Sequence, residues 1–197
     1  MSRPKILAFT GSGSRPSLNR QLLDVAVKEA VRAGAEVTVL DLLNYPVPIY
    51  TGELEAREGV PANARKLKAI FGEHEGLLIA SPEHNGSIPA LLKNALDWVS
   101  RPDLGQNGLV PYQNKVAALL SASPGNLGGL RGLMQLRHVL QSLGVLVQTK
   151  QYALARAHEA FDEEGRFLNP RQHAAVVGVV QQLLTLVRAL KAVREDG

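Results

Sequence analysis

No cysteine occurs in the chain, which removes disulfides, thiol nucleophiles and cysteine-ligated metals together. Aromatic residues are sparse, at 5% with a single tryptophan, and no run of Lys or Arg exceeds two, so no nucleic-acid surface is predicted. The histidines, His74, His84, His138, His158 and His173, show no metal-ligand spacing, and no metal is expected. No apolar segment follows the charged start and no run approaches membrane-spanning length, so the expected protein is soluble, cytoplasmic and away from membranes. What remains is ordinary globular material: 45% hydrophobic and 20% charged, with a net charge of +4 that is compatible with an anionic ligand. No repeat, linker or low-complexity stretch divides it, so a single domain over residues 1–197 is expected.

The chain is organised around Leu7 to Leu22, LAFTGSGSRPSLNRQL. A short apolar run breaks at Gly11, passes through a Gly/Ser/Arg loop and re-emerges as a helical pattern from about Ser17. Strand, loop and helix start in that order set backbone N–H groups and the positive end of a helix dipole against an anion. Ser12, Ser14 and Ser17 add hydroxyls, Arg15 a forked cation and Asn19 an amide. The dinucleotide pattern fails because Pro16 stands where its third glycine belongs. The Walker pattern fails because no lysine occurs between Lys5 and Lys28. A hydroxyl-rich loop without lysine suits one terminal phosphate, such as that of FMN; a plain Ser/Gly turn with Ser17 as helix N-cap is the alternative.

Hydrophobic periodicity and turn residues organise the rest. Strands are expected at Lys5–Thr10, Ala35–Asp41, Gly76–Ala80, Lys115–Ser121 and, briefly, Val145–Gln148. Helices are expected at Ser17–Ala33, Pro61–Phe71, Pro89–Ser100, Leu130–Leu143 and Gln172–Val193, with irregular connections at Asn44–Gly59 and Ala157–Pro170. Strands alternating with helices predict a doubly wound α/β domain, whose ligand lies beyond the carboxyl ends of the strands. The three unusual loops, after the first, third and fourth strands, all lie there and are expected to converge on one site. In the second, Ser81–Ala90, Pro82 and Pro89 stiffen the backbone and Gly86 permits a positive φ, which suits reading the edge of a planar heterocycle such as flavin. The third, with Ser121, Ser123 and Gly125, is placed to close the opposite side.

Four blocks carry a resemblance to the flavodoxin-like NADPH-dependent FMN reductases, a family that includes quinone, azo-dye and chromate reductases. They are Gly11, Ser12, Ser17 and Asn19 in their spacing, SPEHNGSIPALLKNALDWVSR from Ser81 to Arg101, SPGNLGGLRGLMQLRHVLQSLG after the fourth strand, and Phe161 to Gly165. The resemblance implies a five-stranded parallel sheet in the order 2-1-3-4-5 with helices on both faces. It also implies bound FMN, NADPH or NADH as co-substrate, a small-molecule electron acceptor such as a quinone, azo compound, free flavin or metal oxyanion, and a homodimer or homotetramer. The implied cofactor residues are Ser12, Ser14, Arg15, Ser17, Leu18 and Asn19 for the phosphate; Pro82, Glu83, His84, Asn85, Gly86 and Ser87 along the ring; and Ser121, Ser123 and Gly125 on its far side. The chain departs from the family's pattern twice. The loop arginine falls one residue late, at Arg15, and His84 stands where tyrosine is usual.

Hydride transfer on a flavin needs no side-chain proton relay at its first step, and adjacent loop residues such as Glu83 and His84 usually point apart, so no catalytic side chain is assigned. Trp98 is expected under the flavin loop or at a subunit contact, Arg131 and Arg137 in solvent, and the last helix in core or partner packing. The alternative function is a flavin-bound electron carrier without NAD(P)H activity, although carriers of this fold tend to be strongly acidic and this chain is not.

Overall fold

The computed structural model describes residues 3–195. Five parallel strands form one sheet in the order β2-β1-β3-β4-β5, as expected. They are β1 (Lys5–Thr10), β2 (Glu36–Leu40), β3 (Gly76–Ala80), β4 (Val116–Ala122) and β5 (Leu146–Leu154). β3 and β4, at the interior of the sheet, are buried at every residue, which is why they read as unbroken apolar runs. Along each strand alternate residues serve opposite faces. Ile6, Ala8, Leu78 and Val116 pack under α1 (Leu18–Arg32) and α6 (Pro170–Glu195). Leu7, Phe9, Leu77 and Ile79 pack under α3 (Ala62–Gly72), α4 (Ala90–Val99) and α5 (Leu130–Ser142).

A sixth helix, α2 (Gly52–Glu58), lies in the connection expected to be irregular. None of its residues is buried, so no apolar periodicity betrays it; Thr51 caps it by accepting from Leu54 N–H at 3.1 Å. β5 runs to Leu154 rather than ending at Gln148, because its pairing with β4 skips between Ala117↔Val147 and Leu119↔Gln151. Gln148 holds that bulge from inside, its Nε2 donating to the carbonyls of Lys150 and Val179. Trp98 is fully buried under the Asn44–Gly59 connection rather than under the second loop. Its Nε1 donates to the Pro48 carbonyl at 2.7 Å and its ring meets Tyr50 edge-on.

The expectation that no segment reaches membrane-spanning length is corrected by α6: Pro170–Arg194 is long and apolar enough by length and composition. In the fold, Val176, Val180, Leu183 and Val187 on that helix belong to the core. At the amino end of the sheet, Lys115 is buried with its Nζ donating to the His74 carbonyl, and burial pushes its pKa down to about 8.

Candidate active site at the carboxyl edge of the sheet

β1 hands over to α1 through a loop pressed against its neighbours. Gly11 donates its N–H to the Ala80 carbonyl at 3.1 Å, and a Cβ there would lie 3.0 Å from both Leu92 Cδ2 and Ser81 Oγ. Beyond it the loop folds on its own hydroxyls: Thr10 Oγ1 accepts from Ser12 N–H at 3.0 Å and Ser12 Oγ from Ser14 N–H at 3.1 Å. The Arg15–Pro16 peptide is cis. Ser17 is the N-cap of α1, its Oγ accepting from Arg20 N–H at 3.3 Å. The N–H groups of Leu18 and Asn19, in the first turn, have no carbonyl available within the helix. A cleft of about 290 Å³ opens here, lined by Thr10, Ser12, Ser14, Arg15, Ser17 and Asp41 among others.

Two assignments change. Asn19 does not face this cleft: the side chain is 4% exposed, its Nδ2 donates to the Ala122 carbonyl at 2.8 Å and its Oδ1 accepts from Ala122 N–H at 2.9 Å. It is a tie between α1 and the end of β4. Arg15 is 74% exposed and reaches Asp41 at 2.6 Å, while the other oxygen of Asp41 accepts from Leu43 N–H at 3.0 Å. Asp41 is a site residue that motif reading passed over. The strand order held the clue, since β2 lies beside β1 and places the carboxyl end of β2 next to this loop.

After β3, the second loop contains a tight reversal. His84 and Ser87 exchange N–H···O bonds of 2.9 and 3.0 Å across Asn85 (φ 52°) and Gly86 (φ 79°). Positive φ at both central residues is what an Asn-Gly turn supplies. His84, Asn85 and Ser87 are exposed and Pro82 is half-buried. Glu83 is turned away from the turn tip: its Oε1 accepts from Arg131 Nε at 2.7 Å and its Oε2 from Gly132 N–H at 3.1 Å. These donors outweigh burial and hold the Glu83 carboxyl below its ordinary pKa range. Arg131 is therefore an ion-pair partner, and Arg137 is bound to the Val147 carbonyl and Gln151, rather than both being free in solvent.

The third loop, after β4, meets the second. Asn85, Gly86, Ser123, Gly125 and Arg131 line a shared cleft of about 530 Å³. Ser123 Oγ accepts from Gly125 N–H at 3.1 Å. Ser121 does not reach this cleft. It is fully buried beneath Gly129, and its Oγ has no hydrogen-bond partner among the described residues. The three loops thus lie along one edge but form two clefts, one on the first loop and the end of β2, the other between the second and third loops. Among the described residues no group of His, Asp or Glu is arranged to hold a metal ion.

The family model for NADPH-dependent FMN reductase matches residues 4–159, which include all three loops. The chain belongs to that family. The reductase is 32% identical over 188 residues to an NAD(P)H-dependent FMN reductase of Pseudomonas aeruginosa, covering 95% of this chain and 97% of that one. It is also 32% identical over 147 residues to a quinone reductase of Escherichia coli, covering 74% of each. Among solved structures it is similar to the flavoenzyme NAD(P)H:(acceptor) oxidoreductase FerB of Paracoccus denitrificans, with a TM-score of 0.78 and 26% identity over 94% of this chain and 98% of that one. The reductase uses FMN and NAD(P)H, and its residues fit the cofactor. The first cleft joins serine hydroxyls and an arginine at the amino end of α1, a donor set suited to a phosphomonoester, and the second is a broader polar cleft edged by a rigid turn.

Proposed function

We propose that the reductase acts as one domain over its whole length and holds FMN across the two clefts. The phosphate would sit on Ser12, Ser14, Ser17 and the amino end of α1, and the ring against Asn85, Gly86, Ser123 and Gly125. The observation that carries this is the first cleft, where the amino end of a 15-residue helix, three serines and Arg15 converge without lysine. Arg15 would meet the phosphate while keeping one N–H on Asp41, since a guanidinium has five donors. The redox chemistry, a two-electron exchange between NAD(P)H and the acceptor, belongs to the flavin. The chain's share is to hold, orient and shield. The Asn85–Gly86 turn offers backbone donors and acceptors at fixed positions, and the close packing at Gly11 keeps the phosphate loop beside it. Exposed His84 carries no assigned proton transfer.

The proposed acceptors are quinones, azo compounds, free flavins or metal oxyanions, entering where NAD(P)H has left. We also propose a cytoplasmic enzyme that assembles as a homodimer or homotetramer. The exposed apolar residues Leu130 and Met134, one turn apart on α5, with exposed Leu127 in the loop before it, are suited to a subunit contact. One shared site predicts ping-pong kinetics. Double-reciprocal plots of NADPH oxidation at several concentrations of a water-soluble quinone should be parallel, and lines that converge would mean that both substrates bind together.

A further inference from the structure

Glu83 lines the cleft assigned to the flavin ring, and its carboxylate is bound to the neighbouring element. The side chain is 8% exposed and accepts from Arg131 Nε and from Gly132 N–H in the first turn of α5. The approach of α5 to the second loop is as close as the backbone allows. A Cβ on Gly132 would lie 3.1 Å from Glu83 Cβ and 3.2 Å from Glu83 Cα. A Cβ on Gly129, whose φ is +87°, would lie 1.9 Å from Ser121 Oγ. Gly132 and the Glu83 carboxylate therefore join the second loop to the start of α5, while Gly129 seats that start on β4 at Ser121. The loop and the helix start carry the opposite walls of the cleft of about 530 Å³, with Asn85 and Gly86 on one side and Gly129 and Arg131 on the other.

We propose that Glu83 is a positioning residue that sets the width of this cleft by bracing its two walls through Arg131 and Gly132, and so governs how NAD(P)H and the acceptor are seated. This rests on the assignment of that cleft to the flavin ring and its reaction partners. The phosphate cleft lies outside the brace, so FMN retention and substrate seating respond differently to its loss. Glu83→Gln keeps the volume but presents an amide N–H₂ to one of two donors, Arg131 or Gly132 N–H. Arg131→Gln removes the other half of the brace from a side chain that is 64% exposed, where the fold is not at risk.

The experiment measures KM for NADPH and for a soluble quinone, kcat, and FMN affinity by fluorescence quenching on the apoprotein. In both variants KM should rise about tenfold, with kcat within threefold and FMN Kd up by about threefold or less, because the ring shares the braced cleft while the phosphate contacts, outside the brace, still hold the cofactor. Unchanged KM in both variants overturns the proposal. So does a parallel rise of KM and FMN Kd, which would make Glu83 a general structural support. If Glu83→Gln does not fold, Arg131→Gln decides by the same criteria. Failure of the functional assignment itself is separately visible, since the unmodified protein would then bind no FMN at all.

Discussion

Replacing Asn19 by alanine is expected to lower stability by about 3 kcal/mol, because it strands two buried main-chain groups of Ala122 and leaves a void in their place. Each hydrogen bond alone contributes modestly against water, but an N–H and a carbonyl left unsatisfied in the interior each cost about 1–3 kcal/mol. For a chain of this size that corresponds to a fall in Tm of about 6–12 °C. FMN affinity of the folded fraction should change little, since the amide side chain faces β4 and Asn19 does not line the cleft. Thermal denaturation with a flavin titration separates the two effects. A variant that melts at the original temperature but loses FMN would return Asn19 to the phosphate.

The second large effect is expected at the phosphate cleft. Arg15→Ala combined with Ser17→Gly should weaken FMN binding by about 30- to 1,000-fold, which is about 2–4 kcal/mol for one charge-assisted and one hydroxyl contact discounted for the exposure of Arg15. Glycine is chosen over alanine at Ser17 because that residue caps α1, and glycine at an N-cap costs only a few tenths of a kcal/mol. Riboflavin is the control. It lacks the phosphate, so its affinity should not move, and titrating both flavins against both proteins reads the difference. Equal losses for the two flavins would mean the loop shapes the ring cleft instead of holding the phosphate, and no loss for either would displace the cofactor from this loop.

The elements legible from sequence were those whose burial is periodic. β3 coincides with its apolar run, and β1 extends one residue beyond the run Ile6–Phe9 at each end, because both are enclosed by helices on two faces. The exposed α2 has no such signature, and β5 is interrupted at its bulge by polar residues, Gln148 to Gln151, of which only Gln148 turns fully inward. In the site, residue types and loop order were readable and side-chain direction was not. Asn19 and Ser12 both read as polar groups at a phosphate loop. Two residues past the N-cap Ser17, a little over half a helical turn, Asn19 points at Ala122, while Ser12 stays beside the cleft. Ser121 was misread for a related reason: it sits at the end of β4, where Gly129, 8 residues further along the chain, covers it; Glu83 does line the ring cleft, but its carboxylate is taken by α5, 48 residues on. Asp41 belongs to the same class, since only the sheet order brings it to Arg15.

The most direct test of the central claim is the visible spectrum of the protein loaded with FMN, desalted, and mixed anaerobically with NADPH. Flavin bands should survive desalting, bleach on mixing, and return when a quinone is added. Bands that survive but do not bleach would contradict an NAD(P)H oxidoreductase and describe a carrier, and a colourless protein after desalting would contradict the flavin site itself.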